Sequence, residues 1–169
     1  ASLLRLALYN CALGAAGAQG LGEALMTNGV LQELDIGANA LGADGARALS
    51  TALAANRGLL TLGLDHNDIG VDGALSLAAA FAHAEPSSSL HERNSTLTAL
   101  DLWANGVGDE GARALHAVLH GDSVLTRLVL LDNGLSAECE RLLAGAGDVM
   151  EFEGRQKAAE RLVPPRRVG

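Results

Sequence analysis

Large rings are nearly missing from this chain: 169 residues hold one Trp, one Tyr and two Phe, an aromatic share of 2%. The apolar share is nevertheless 49%, so the core must be assembled from Leu, Ala and Val. That suits thin, regularly stacked layers better than a globule packed around rings. Cysteine is limited to Cys11 and Cys139, which provides no disulfide framework and points to a reducing, cytoplasmic setting. No apolar run approaches the roughly 18 residues of a membrane span, and no charged-then-apolar leader opens the chain. Ala1 is followed within two residues by a repeat leucine, which reads as a mature, trimmed or excised start.

Positive charge is also scarce. Residues 1 to 154 carry 7 Arg against 19 Asp plus Glu, a charge of −12, whereas residues 155 to 169 hold 5 Lys plus Arg against one Glu, or +4. The acidic body offers nothing to neutralise phosphates, which excludes a nucleic-acid binder as the expected class. The basic end reads as a solvated block, with self-docking or partner binding as the alternative.

What the chain does have is repetition. Leu3, Leu31, Leu59, Leu97 and Leu125 open five copies of one pattern, spaced 28, 28, 38 and 28 residues apart. The second strand position holds Leu6, Leu34, Leu62, Leu100 and Leu128, and the third holds Leu8, Ile36, Leu64, Leu102 and Leu130. A column of Cys11, Asn39, Asn67, Asn105 and Asn133 follows, suited to a buried turn because an Asn amide both donates and accepts. Next come Leu13-Gly14, Leu41-Gly42, Ile69-Gly70, Val107-Gly108 and Leu135-Ser136, then a helix with acidic residues in its first turn and small residues at Gly45-Ala46 and its copies. Asn28, Asn56, Asn94 and Asp122 are expected to end helices as left-handed caps. One unit cannot bury its own apolar face, so copies must stack. Four strand spacings of roughly 4.8 Å then put Cys11 and Cys139 too far apart to bridge.

The pattern LxxLxLxxNxLGxxGAxALAxAL resembles the ribonuclease-inhibitor type of leucine-rich repeat, also found in NOD-like receptors and Ran GTPase-activating proteins. The resemblance implies an α/β solenoid, a horseshoe of about five 28-residue repeats with parallel strands on the concave face and helices on the convex face. It covers roughly residues 3 to 147 of an expected repeat domain 1–147, and leaves 148–169 as a capping segment and basic tail.

Two stretches depart from the pattern. Ala84 to Arg93 is a ten-residue insertion containing Pro86 and three serines, read as a surface loop with a phosphorylation loop as the alternative. Asn94-Ser95-Thr96 matches a glycosylation sequon but coincides with the repeat's own asparagine. At the other end Glu140 replaces a packing Ala and Gly145 and Gly147 interrupt the helix, so the fifth repeat reads as a cap, followed by a short sixth strand near Val149 to Glu153 with Phe152 over the last layer. No cap precedes Leu3, so the first strand is expected to present an open edge, covered by upstream repeats or by another chain.

Function is sought in the residues that alternate with the buried leucines. These are Ala7, Asp35, Gly63, Asp101 and Val129 in one column, Tyr9, Gly37, Asp65, Trp103 and Leu131 in the next, and Asn10, Ala38, His66, Ala104 and Asp132 beside it. Trp and Tyr on a solvated face are residues enriched at binding hot spots. The expected site is therefore a partner-binding face of Tyr9, Asp35, Asp65, His66, Asp101, Trp103, Leu131 and Asp132, taking a protein with a basic or mixed surface and needing no cofactor. A metal held by Asp35, Asp65, Asp101 and His66 is the catalytic alternative, lacking any local ligand motif. His116 and His120 share a helical spacing without a third ligand. The expected function is a non-catalytic interaction module or scaffold. The family resemblance adds a GTPase-activating module as one alternative, and a structural subunit of a large assembly is another.

Overall fold

The computed structural model describes residues 2–81, 94–119, 124–144 and 150–151. Strands and helices alternate strictly: β1 (Arg5–Ala7), α1 (Gly14–Thr27), β2 (Glu33–Asp35), α2 (Gly42–Ala55), β3 (Thr61–Gly63), α3 (Gly70–Ala79), β4 (Ala99–Asp101), α4 (Gly108–Leu119), β5 (Arg127–Val129), α5 (Ala137–Ala144) and β6 (Met150–Glu151). The six strands form one parallel sheet in sequence order. Leu6, Leu34, Leu62, Leu100 and Leu128 lie in register across it. The step from Leu62 to Leu100 spans the insertion without a slip, because a one-residue slip would turn every buried leucine to the other face.

Between sheet and helices runs one continuous core. Leu34, Ile36, Leu49, Leu53, Leu62, Leu64, Leu77, Leu100, Leu102 and Leu115 are all buried, with Ala18, Ala46, Ala74 and Ala112 where adjacent helices meet. A Cβ on Gly45 would stand 3.1 Å from that of Ala18, and one on Gly111 would stand 2.8 Å from that of Ala74. Small residues are thus what lets neighbouring helices approach. Truncating a fully buried leucine such as Leu77 to Ala is expected to cost about 2–5 kcal/mol.

Hydrogen bonds hold the layers where the leucines do not. Each asparagine of the first column donates its backbone N–H to the side-chain oxygen of the next: Asn39 to Asn67 at 2.9 Å, Asn67 to Asn105 at 2.9 Å and Asn105 to Asn133 at 3.0 Å. The side-chain amide reaches back to the preceding layer, from Asn39 to Leu8 O, Asn67 to Ile36 O, Asn105 to Leu64 O and Asn133 to Leu102 O. A second column does similar work under the helix ends, but not as left-handed caps. Asn28 and Asn56 have φ of −89° and −70° with extended ψ, and α3 stops at Ala79, well before Asn94. Their side-chain oxygens accept the amides two and three residues on, as at Asn56 with Gly58 and Leu59, which steers the chain into the next strand. Asp122 lies outside the described residues.

Two cysteines, two environments: Cys139 is buried in α5, whereas Cys11, expected in a core column, is exposed. Cys11 sits on the first layer, whose outer side no described layer covers. The β1 edge is unpaired among the described residues, with Leu3 62% and Leu4 46% exposed. The sixth strand forms, pairing Leu128 with Met150 and Val129 with Glu151. Phe152, Gly145, Gly147 and the insertion 84–93 lie outside the described residues.

Candidate functional site

Strands β1 to β5 are only three residues long, so the residues expected on the inner face divide between strand and turn. Ala7, Asp35, Gly63, Asp101 and Val129 end the strands, while Tyr9, Gly37, Asp65, Trp103 and Leu131 stand in the turns that follow. The turns remain laddered: Asn10 N donates to Gly37 O, Ala38 N to Asp65 O, His66 N to Trp103 O and Ala104 N to Leu131 O, at 2.8–2.9 Å. Asn10, Ala38, His66, Ala104 and Asp132 all take left-handed backbone conformations, with φ between +52° and +56°. Because Asn10 and Ala38 share it, the conformation belongs to the architecture and is not strain stored at His66 or Asp132.

Across these turns the side chains form a connected run. Tyr9 lies over Gly37, where a Cβ would stand 2.7 Å from the ring, and Asp65 leans over the same glycine from the other side. Asp65 Oδ2 meets His66 Nδ1 at 3.2 Å, and the His66 ring meets the Trp103 ring in an edge contact with centroids 4.8 Å apart and planes at 72°. Trp103 Nε1 donates to Asp132 Oδ2 at 2.7 Å. The only Trp is therefore half-buried and oriented from both sides, by His66 in the third repeat and Asp132 in the fifth. Leu131 is half-buried in the same column.

Asp35 and Asp101 sit one column inward and have a positioning task. Asp35 Oδ1 accepts Gly37 N at 3.1 Å and Asp101 Oδ1 accepts Trp103 N at 3.0 Å. Each carboxylate thus shapes the turn that carries the next column. Gly63 and Val129 in the Asp35 column are buried and give that part of the face no side chain for a partner to grip. The metal alternative gains no geometry: among the described residues no group of three His, Cys, Asp or Glu side chains converges as an ion site. His116 is half-buried on α4, and His120 lies outside the described residues.

One column of the face was missed by sequence reasoning. Arg5, Glu33, Thr61, Ala99 and Arg127 begin the strands in register, and Arg5 Nε pairs with Glu33 Oε2 at 3.0 Å. The signal was present, since these residues are two before the Asp35 column and side chains on a strand repeat with period two. A separate polar node closes the last helix. Asp109 of α4 accepts Ser136 N at 2.8 Å and Ser136 Oγ at 2.6 Å, and Ser136 Oγ in turn accepts Cys139 N. The Ser136 hydrogen bonds, with help from Arg113, hold the Asp109 carboxyl below its ordinary value. Cys139 is packed in the core, and burial pushes its thiol up.

The sequon at Asn94 is closed by the fold. Asn94 is 1% exposed, and its amide donates to Leu53 O and Asn56 O, leaving no nitrogen for a glycan. No helix among the described residues is long and apolar enough to cross a membrane.

Comparison with known proteins agrees with this geometry. A family model described as Leucine Rich repeat matches residues 27–50, 55–78 and 93–115. A search of the curated proteins returns no match. Among solved structures, one titled "Leiomodin-1 Actin-Binding Site 2 (ABS2)" superposes with a TM-score of 0.66 at 19% identity, covering 85% of this chain and 77% of that one. The tropomodulin C-terminal domain of Caenorhabditis elegans gives 0.62 at 13% identity, covering 85% and 81%. With its matched repeats, its asparagine ladder and its in-register parallel sheet, the chain carries leucine-rich repeats within residues 27–115 and shares the fold of these structures.

Proposed function

We propose that the chain is a non-catalytic protein-interaction module that works inside the cell and binds a protein partner through its concave acidic and aromatic face. The supporting observation is the run from Tyr9 through Asp65, His66 and Trp103 to Asp132, which holds a half-buried indole in one orientation. A pre-oriented aromatic anchor ringed by polar groups is the composition of an interface hot spot. Tyr9, Trp103 and Leu131 supply contact area, Asp65, His66 and Asp132 orient them, and Asp35 and Asp101 set the turns. A net charge of −12 over residues 1 to 154 favours a basic protein surface over nucleic acid. Residues 1–147 form the repeat domain in this proposal, and 148–169 cap it.

Since the leiomodin structure's title names an actin-binding site, actin is the first partner to try. Binding is measured by co-sedimentation and by calorimetry, and partners from an unbiased capture follow if actin does not bind. Whatever partner binds, Trp103→Ala is expected to weaken it by about 2 kcal/mol or more, roughly thirtyfold. A partner bound equally well by Trp103→Ala would remove the concave face from the proposal.

The exposed Leu3 and Leu4 beside the β1 edge favour a second reading, a subunit whose first layer is covered within a larger assembly. Sedimentation of the isolated chain decides it: a well-behaved monomer counts against this reading.

A further inference from the structure

The inner layers show what covers a layer of this stack. Glu33 N, Thr61 N, Ala99 N and Arg127 N each donate to the strand in front, to Leu4 O, Gln32 O, Leu60 O and Thr98 O at 3.0–3.1 Å. Arg5 is their counterpart on β1, and among the described residues no strand stands in front of it. The apolar columns differ in the same way. Leu31, Leu41 and Leu49 are buried, whereas their first-layer counterparts are an exposed Leu3 and a partly buried Leu13 and Leu21. On α2, Gly45 meets Ala18 and Ala48 meets Gly22 of the helix in front. The matching residues of α1, Gly17 and Gly20, face the open side.

That side is electrically quiet in an acidic chain. Arg5 and Glu23 are the only charged residues from 1 to 30, a net charge of zero against −8 for the whole sequence. Arg5 pairs with Glu33, and Glu23 accepts from Gln19 in the groove toward α2, away from the open side. The far end of the stack is unlike it. The small residue that receives the next helix, which is Ala18, Ala46 and Ala74 inside the stack, is Glu140 in α5. Stacking copies head to tail would press that carboxylate onto Gly17 among small and apolar residues, a costly burial. Two first layers meet without confronting carboxylates.

We infer that the partner covering the first layer is a second copy of this chain, with β1 pairing antiparallel to its copy across a two-fold axis and α1 packing on α1. This rests on the reading in which the first layer is covered within an assembly. A two-fold contact uses the same face twice and closes at two copies, so the open strand edge is consumed and does not propagate.

The test measures the mass of the full chain by sedimentation equilibrium across a concentration series and follows amide hydrogen exchange by NMR. The expected result is a rise from one copy to two and no further, with exchange at the Arg5 amide slowed as the dimer forms. Leu3→Asp and Gly20→Glu each place a carboxylate on the open side. Leu3 is exposed and a Cβ on Gly20 meets nothing within 4 Å, so both variants keep the fold. Each should weaken the dimer at least about tenfold, because the added charge faces its own copy. Met26→Glu, in the α1–α2 groove, should leave the dimer unchanged.

A chain that stays at one copy throughout overturns the second copy and the covered-layer reading together. Growth past two copies with the Arg5 amide protected overturns the two-fold pairing while the first layer remains covered. A dimer weakened by Met26→Glu but not by Leu3→Asp or Gly20→Glu lies on the α1–α2 groove and removes the first layer from both.

Discussion

Two rows of residues run through the same turns and behave in opposite ways. The row Asn39, Asn67, Asn105 and Asn133 repeats one residue type, while the row two positions earlier reads Gly37, Asp65, Trp103 and Leu131. Their backbones are equivalent and laddered alike; only their surroundings differ. Each asparagine is buried against the backbone of the neighbouring layer, which is the same in every repeat, so the same side chain solves the same problem. The Trp103 row faces neighbours that change from layer to layer and the outside of the protein, so nothing internal holds it to one residue. Repetition marks what the fold needs, and variation marks where a partner can be read.

The largest expected effect breaks the first row. Asn105→Ala removes an acceptor for Asn67 N and Ile69 N and a donor to Leu64 O, all buried, and a donor to the partly buried Trp103 O. Each buried group left unpaired costs about 1–3 kcal/mol, with water repairing some of them. A loss of about 3–5 kcal/mol in urea unfolding is expected, and less than about 1 would show that the ladder is dispensable. Trp103→Ala should cost only about 1 kcal/mol of stability, the scale of one half-exposed hydrogen bond and partial burial, while it weakens partner binding by more. An unfolding loss as large as that of Asn105→Ala would mean that Trp103 belongs to the fold.

A smaller effect is set by pH. Asp109 has its folded-state carboxyl pKa below the ordinary 3.8 because Ser136 donates to it twice. Its contribution is therefore fully present above the unfolded value and is lost as the pH falls through the lowered folded value. Asp109→Asn should remove that acid-dependent part, so the melting temperatures of variant and parent should converge as the pH drops below about 4. A gap that stays constant with pH would exclude an ionic role. The smallest effect is at Cys11, the first-layer member of the asparagine row. Cys11 is exposed and its thiol donates to Tyr9 O at 3.5 Å, so Cys11→Ala should fall within about 0.5 kcal/mol of the parent. Comparing it with Asn105→Ala separates position in the repeat from burial in the stack.

Much of the fold was legible because its rules are local and repeated. The leucine columns, the glycine turns and the small residues between helices each recur at 28-residue intervals, stretched once to 38, and the structure puts each in its expected layer. The helices do end at Asn28 and Asn56, but the conformation expected there was misread. An asparagine suits both a left-handed cap and a side-chain bridge to the next strand, and only the positions of the neighbouring carbonyls choose between them. Cys11 was misplaced for a related reason. Its column is buried elsewhere in the stack, but burial comes from the layer in front, which sequence position does not reveal. The Arg5, Glu33 and Arg127 column was overlooked although strand alternation marks it.

The sequence alone determined the architecture: five copies of one apolar pattern cannot close individually and must stack in parallel, and the scarcity of rings leaves leucine and alanine to fill the layers. Tertiary structure decided which varied residues meet. Tyr9 and Asp65 come together because Gly37 leaves a place between them, and His66, Trp103 and Asp132 touch because their strands are neighbours in the sheet. Those contacts join residues from 29 (Trp103 and Asp132) to 56 (Tyr9 and Asp65) positions apart in the chain. They exist only once the layers stack and bring those positions within reach of one another.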